Sequence, residues 1–385
     1  MTLKPPGNNT IGVLGGGQLG RMLALEARRM GYRIVSWTGT DKPGPAALAD
    51  VALTEPFDSD SALESFIDKV DVATVEFENI PRALLGSLEA RIRLAPSAHA
   101  VAICQHRERE KRFLSENRFP CPHYTVVDSA ESLANALAEL PGDYGILKTA
   151  EFGYDGKGQQ TVHRDDHAAE VWTAFDSKRA VLEERVDLEG ELSVLVVRDQ
   201  LGNTACYDPA ENFHRDHILD LSIIPARYPQ TILTEARAIA LSIADALAYE
   251  GILAIEFFLT QGNKLLVNEL APRPHNSGHH TLDACQTSQF EQQLRVACGL
   301  PIGGTKSITP SVMWNLLGDL WPKSDQAPDW QPVLATPGAK LHLYGKDAAR
   351  PGRKMGHVTF IASTLDEALE QALSCRRRFG LADPS

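Results

Sequence analysis

Between Thr10 and about Ala95, short apolar runs alternate with stretches of helical period: TIGVLG, a helix from about Gln18 to Met30, YRIVSW, a helix near Ser59 to Lys69, and VATVEF. Runs of that length separated by amphipathic helices predict a βαβαβ unit, and so a parallel sheet with helices on both faces. Pro96-Ser97 ends the unit, and a charged helical segment from His99 to Asn117 leads into a second α/β region through YGILKTAEFGYDGKGQQTV. AVLEERVDLEGELSVLVV adds two strand-like runs, and a helix around Glu235 to Tyr249 precedes ILAIEFFLTQGNKLLVNELAPRPHNSGH. The two alternating runs of that stretch predict a hairpin turning at Gln261-Gly262-Asn263, because Gly and Asn tolerate the positive φ such turns need. Past Pro301 the pattern changes to SVMWNLLG, the proline-rich WPKSDQAPDWQP, AKLHLYGK, RPGRKMGHVTFIA and a last helix beginning near Leu365. Neither an internal repeat nor a low-complexity segment is present.

A chain of 385 residues with 43% apolar content has room for two or three globular domains. No apolar run approaches the roughly 20 residues of a membrane helix, and MTLKPPGNNT lacks the apolar core of a signal peptide, so a soluble cytoplasmic protein is expected. The six cysteines lack CxxC or CxH spacing and read as reduced thiols without assigned chemistry. A formal charge of −12 disfavours nucleic acid as a partner, so any anionic substrate must be held by local cations, helix N-termini or metal.

Glu256 lies six residues before Gly262 and Glu269 seven after it, which makes the two acids near neighbours across the predicted ladder. Like charges that close repel, so either one is protonated or something doubly positive lies between them. Oxygen ligands with Asn268 alongside suit Mg²⁺, which takes one or two carboxylates and completes its shell with substrate phosphates. The bland alternative is an exposed hairpin with two solvated acids. Gly15 to Gly20 contains GxGxxG between a strand and a helix, yet YRIVSW ends without an acid and the nearest is Asp41, which counts against NAD. The loop could still receive another phosphorylated or polar ligand. GYDGKGQ at 153–159 follows Lys148 at the end of an apolar run; it lacks the P-loop ending and suits a flexible hairpin closing over phosphates. Leu182 to Val186 reads equally as a base-stacking edge and as a salt-bridged surface strand, and His214 sits in the polar cluster Glu211-Asn212-x-His214. Lys346, Arg350, Arg353 and Lys354 form a basic island, either a solvated turn or a phosphate clamp.

Together these elements resemble the ATP-grasp ligases. GGGQLGRM at 15–22, GYDGKGQ, NELAPRPHNSGH at 268–279, SQFE at 288–291 and RPGRKMGH at 350–357 resemble, within that superfamily, the N5-carboxyaminoimidazole ribonucleotide synthetases of purine biosynthesis. The resemblance implies a three-domain α/β ATP-grasp architecture. An N-terminal Rossmann-like parallel sheet would span 1–106, an ATP-grasp region 107–299 with a mobile lid around 120–185, and a small C-terminal α+β domain 300–385. It also implies ATP-dependent carboxylation of 5-aminoimidazole ribonucleotide by bicarbonate through carboxyphosphate, with Mg²⁺, in a cytoplasmic homodimer. Arg107, Lys148 and Gly153, Tyr154, Asp155, Gly156, Lys157, Gly158 and Gln159 would meet the phosphates. Glu183, Glu184, Arg185 and Val186 would line the adenine pocket, Glu191 would hold the ribose, and His214 and Asn268 would also touch nucleotide. Glu256 and Glu269 would hold Mg²⁺. Gln18, Leu19, Glu78, Asp155, Lys346 and Arg353 would contact the aminoimidazole ribonucleotide, the last two at its phosphate. Arg273, His275, Asn276 and Ser277 would face bicarbonate and the acceptor amine, Arg273 as an oxyanion fork and His275 as a group able to move the amine's proton.

Four residues depart from the family's pattern. Ala150 and Glu151 stand where basic or small residues are common, His217 where glycine is usual, and Gln293 where histidine is frequent. Three rivals remain: another ATP-grasp ligase such as formate-dependent glycinamide ribonucleotide transformylase, an NAD-dependent oxidoreductase built on the first domain, and a non-catalytic nucleotide-binding regulator.

Overall fold

The computed structural model describes residues 3–39, 44–151, 153 and 157–383. Its N-terminal part is a five-stranded parallel sheet of order β3-β2-β1-β4-β5, with β1 Thr10–Leu14, β2 Arg33–Trp37, β3 Val51–Leu53, β4 Val72–Val75 and β5 Arg93–Leu94. Ile11, Val13, Ile34 and Val72 are fully buried, as strands covered on both faces require. Three of the strands are the expected runs; β3 and β5, at three and two residues, are too short to leave a periodic signal. Helix Gln18–Arg29 covers one face with Leu19, Met22, Leu23 and Ala27.

The segment expected to be one charged helix is two, Ala98–Cys104 and Arg107–Glu116. His106 between them is extended, and the Arg107 amide donates to Ala150 O at 2.9 Å, tying the second helix to the next sheet. That sheet is antiparallel, ordered β6-β9-β7-β8, with β6 Tyr124–Val127, β7 Tyr144–Thr149, β8 Gln159–His163 and β9 Ala180–Glu184. Leu133, Leu137, Leu147 and Leu182 form its core beneath helix Ala130–Ala138, which Ser129 opens with a capping box. Glu151, one of the departures, binds Arg109 at 3.3 Å and so helps fasten this sheet to helix Arg107–Glu116.

The largest sheet runs β15-β14-β10-β12-β13-β16-β18-β17, with β11 beside β10. Its strands are β10 Leu188–Arg198, β11 Thr204–Cys206, β12 Ala210–Arg215, β13 Ile218–Ile224, β14 Gly251–Thr260, β15 Leu265–Ala271, β16 Ser311–Leu317, β17 Ala339–Leu343 and β18 Lys354–Ile361. The C-terminal strands thus extend the central sheet. Helix Leu365–Arg378 is locked to it where the Arg376 guanidinium binds both Asp220 oxygens at 2.8 and 2.7 Å, fully buried over Trp314. Helix Gln230–Ala246 packs Ala236, Ala240 and Ile243 on the strands carrying the acid pair.

Two departures find physical explanations. His217 has φ +63° and its neighbour Asp216 φ +51°, the paired left-handed residues of a tight hairpin between β12 and β13, where glycine would be unstrained. Gln293 joins the two large sheets: its amide nitrogen donates to Thr74 Oγ1 (2.9 Å) and Ala95 O (3.1 Å), and its oxygen accepts from the Ile252 amide (2.7 Å). Among the described residues no helix is long and apolar enough to cross a membrane, and all six cysteines are free thiols.

Candidate active site

The acid pair sits where the sequence put it, by a device the sequence did not disclose. Glu256 on β14 pairs directly with Glu269 on β15, but Phe257 pairs with Val267, so Asn268 is an extra residue in a β-bulge. Strict alternation would turn Glu269 inward with buried Leu265 and Val267; the bulge resets the phase, leaving Asn268 and Glu269 both part-exposed and Leu270 buried. The hairpin loop itself closes with Asn263 at φ +57°.

Each carboxylate also has a protein partner of its own. His275 Nε2 lies 2.9 Å from Glu256 Oε1, and Arg107 Nη2 lies 3.4 Å from Glu269 Oε2. Burial pushes the Glu256 carboxyl up, but His275, with His214 and Lys354 behind it, outweighs burial and holds it at about 2. Two carboxylates beside an amide oxygen make a hard, oxygen-rich donor set that leaves most of a cation's shell to phosphate and water, which fits Mg²⁺. Among the described residues no group of three or more His, Cys, Asp or Glu forms a complete metal cage.

Next to the pair lies a buried charge cluster. Lys148 on β7 and Lys111 on helix Arg107–Glu116 reach the two oxygens of Glu183 on β9, at 2.8 and 3.4 Å, and Lys111 also donates to Asn268 O at 3.0 Å. Against its burial, Lys111, Lys148 and Arg107 hold the Glu183 carboxyl at about 2. Burial, aided by Arg107 and Lys111, pulls the Lys148 ammonium below its ordinary value despite Glu183. The site thus concentrates positive charge in a low-dielectric corner, a setting that favours an entering polyphosphate. Neighbouring Glu110 is pushed by burial, against Lys111, to about 8, while it accepts from the Leu270 amide. A cleft lined by Glu78, Arg107, Glu110, Thr149, Gly153 and Glu269 opens beside this cluster. A larger hollow around Glu131, Arg164 and His167 is lined by helix Ala130–Ala138 and the 164–169 turn and shares no residue with that cleft.

The GxGxxG loop is filled from within. Glu76, following β4, accepts from the Gly17 amide at 2.7 Å and the Gly20 amide at 3.0 Å. A Cβ on Gly15, Gly17 or Gly20 would fall within 3 Å of this side chain, so the glycines make room for a carboxylate. The protein's own acid thus takes two of the loop's amides, those of Gly17 and Gly20. Burial lifts the Glu76 carboxyl above its ordinary value despite both donors. Two residues on, part-buried Glu78 forms an ion pair with Arg273. Although burial opposes both charges, the pair lowers Glu78 and raises Arg273.

The other expected residues are spread over several parts of the site. His275, Ser277, Asn276, His214 and Glu191 are gathered at the acid pair. His214 Nδ1 lies 3.1 Å from Glu191 Oε1, and the amide atoms of buried Asn276 have no partner among the described residues. Leu19 is core, so only its backbone is available to a ligand, whereas Gln18 is part-exposed. The Glu184 carboxylate accepts from the His123 amide and Arg185 covers the Tyr144 ring at 4.9 Å. Half-buried Val186 follows them in the strand connection. Lys346 donates to Lys354 O at 2.6 Å and Arg353 to Ala348 O at 2.6 Å, shaping the basic island. In the glycine loop, Gly158 needs its missing Cβ at φ +72° beside Thr149 Oγ1, and Gly153 lies close to Arg107, with Lys157 exposed and Gln159 opening β8. Tyr154, Asp155 and Gly156 lie outside the described residues. Sequence reasoning missed Glu76, Lys111 and Glu110.

A cleft between an antiparallel sheet and a larger sheet bearing paired acids, flanked by buried lysines, defines an ATP-grasp protein. The ATP-grasp domain family matches residues 112–290, the ribonucleotide synthetase preATP-grasp domain residues 8–105, and the phosphoribosylaminoimidazole carboxylase C-terminal domain residues 311–371. N5-carboxyaminoimidazole ribonucleotide synthase of Bacillus subtilis (strain 168) is 40% identical over 361 residues, covering 94% of this chain and 93% of that protein. The crystal structure of N5-carboxyaminoimidazole ribonucleotide synthetase from Thermus thermophilus superposes with a TM-score of 0.88 at 38% identity, covering 97% of this chain and 99% of that one. The Aspergillus clavatus N5-carboxyaminoimidazole synthase, solved with ADP and 5-aminoimidazole ribonucleotide, gives 0.86 at 29% identity, covering 97% and 98%. The chain belongs to the N5-carboxyaminoimidazole ribonucleotide synthase family.

Proposed function

We propose that this chain carboxylates 5-aminoimidazole ribonucleotide with bicarbonate at the expense of ATP, giving N5-carboxyaminoimidazole ribonucleotide, ADP and phosphate. The observation that carries the reading is the full-length relationship to synthases of that name, joined to a cleft in which Arg107, Lys148 and the acid pair converge. Glu256 and Glu269, with Asn268, would hold Mg²⁺, which when bound neutralises triphosphate charge and polarises the transferred phosphoryl group. Arg107, Lys148 and the amides of the 153–159 loop bind the phosphates, Glu183 fixing Lys148 in place. The 183–186 segment lines the adenine pocket, and Glu191 with His214 takes the ribose. A bicarbonate oxygen attacks the γ-phosphorus, and ADP leaves with the bond's electron pair. The substrate amine then attacks the carboxyl carbon of carboxyphosphate, the C–O bond breaks toward phosphate, and the amine nitrogen gives up a proton. Arg273, oriented by Glu78, presents its remaining N–H edge to the carboxyl oxyanion. The sheet β6-β9-β7-β8 serves as the lid, which protects a water-labile intermediate by excluding solvent. Gln18, the Leu19 backbone, Glu78, Asp155, Lys346 and Arg353 contact the ribonucleotide, and Asn276 meets bicarbonate or the amine.

We further assign the three units to 1–106, 107–299 and 300–385, and place the enzyme in the cytoplasm as a homodimer. The oxidoreductase reading is disfavoured by Glu76, which fills the loop a dinucleotide pyrophosphate would need. The test is ADP release with each reactant omitted in turn: the rate collapses without aminoimidazole ribonucleotide, bicarbonate or Mg²⁺. Equal turnover with glycinamide ribonucleotide and formate would transfer the assignment to the rival ligase.

A further inference from the structure

A row of polar side chains crosses five adjacent strands of the large sheet on the site's face. Glu269 pairs with Glu256, Glu256 with Ser193 of β10, and Asn212 of β12 with Ser222 of β13, Asn212 standing diagonal to Ser193. Ser193, Asn212 and Ser222 are buried in the sheet, and Ser277 is buried in the short helical turn Asn276–Gly278 that follows β15. A buried hydroxyl costs free energy unless it is bonded, and here every one is: Ser222 Oγ donates to Asn212 Oδ1 (2.8 Å), Asn212 Nδ2 to Ser193 Oγ (2.9 Å), and Ser193 Oγ to Ser277 Oγ (2.7 Å). Ser277 Oγ lies 2.9 Å from His275 Nδ1.

Hydroxyls and a flippable amide could run such a chain in either direction. One contact breaks the symmetry. The backbone N–H of Ser277 also points at His275 Nδ1, at 3.3 Å, and a backbone amide can only donate. Nδ1 is therefore the lone-pair nitrogen, Ser277 Oγ donates to it, and in the neutral ring the hydrogen sits on Nε2, which faces Glu256 Oε1 at 2.9 Å. We infer that Ser193, backed by Asn212 and Ser222, is a positioning residue: through Ser277 it locks His275 as an Nε2–H donor that orients the Glu256 carboxylate. The ring then has no free lone pair for the amine's proton, so His275 serves as a strut for Glu256 and not as a base.

The inference rests on the proposed reaction only for its kinetic arm. In ¹⁵N-histidine-labelled protein free of metal and nucleotide, at alkaline pH, long-range ¹H–¹⁵N spectra should show His275, assigned through its loss in His275→Gln, with Nε2 protonated and Nδ1 bare. A protonated Nδ1 overturns the inference, and this readout needs no change in the sheet. In turnover, Ser193→Ala should lower kcat about tenfold, the loss of one oriented hydrogen bond, while KM for ATP and for aminoimidazole ribonucleotide stays within about twofold. Ser193→Thr, which keeps a hydroxyl, should recover most of the rate, and Ser193→Ala should cost nothing further in a His275→Gln background. An unchanged kcat, or an additive loss in that background, overturns the inference. A wild-type enzyme without aminoimidazole-dependent turnover would instead sink the reaction, with the tautomer still deciding the positioning role.

Discussion

Replacing Glu183 by glutamine keeps the side chain's shape and removes the one charge that two buried ammonium groups share. The Glu183 carboxyl is 1% exposed and held at about 2, against 4.5 for an ordinary glutamate. At about 1.4 kcal/mol per pKa unit, that difference corresponds to roughly 3 kcal/mol of folded-state preference for the ionised form. Because the folded pKa is depressed, this stabilisation is complete above the unfolded pKa and fades as pH falls toward the folded one. A neutral amide imitates the protonated acid. Glu183→Gln should therefore unfold in urea with a free energy about 3 kcal/mol lower at pH 7, and the gap should shrink to about 2 kcal/mol near pH 3.5. ATP brings its own negative charge to Lys148 and Lys111, so it should raise the melting temperature of the variant more than that of the wild type. A variant as stable as wild type at neutral pH, or a gap that widens on acidification, would refute the electrostatic account of this cluster.

Glu269→Gln should reduce turnover by about 100-fold or more while altering stability by less than about 1 kcal/mol, since the carboxylate is part-exposed and its Arg107 partner sits at 3.4 Å; near wild-type turnover would remove it from the metal site. Gln293→Leu strips three buried hydrogen bonds between the two sheets and leaves Thr74, Ala95 and Ile252 groups unpaired, which should cost about 3 kcal/mol in urea unfolding. His217→Gly relieves a left-handed φ at a hairpin and should stabilise by about 0.5–1 kcal/mol in calorimetry, with activity unchanged.

How far the sequence could be read depended on whether a residue's role followed from periodicity. The apolar runs of β1, β2, β14 and β15 alternate or repeat over enough positions to show, and GxGxxG, GYDGKGQ and NELAPRPHNSGH carried the family. The bulge at Asn268 left no such mark, since one extra residue in a strand looks like ordinary sequence, although the unequal counts of six and seven around Gly262 were its trace. Glu110 and Lys111 lie in REREKRF, which reads as a solvated helix, yet both are buried because Glu183, Asn268 and Leu270 supply partners from distant strands. Glu78 was legible through the family and Glu76 was not, because its partners are backbone amides 56 and 59 residues away. Ser193 is invisible for a similar reason: a lone serine in an apolar strand acquires meaning only once β14 and β12 flank it.

In the proposed reaction bicarbonate, and not the ribonucleotide or water, receives the phosphoryl group. Turnover with ¹⁸O-labelled bicarbonate, followed by mass analysis of the phosphate, tests it directly. One bicarbonate oxygen is expected in each phosphate released, with formation strictly dependent on aminoimidazole ribonucleotide. Phosphate carrying no bicarbonate oxygen would contradict it.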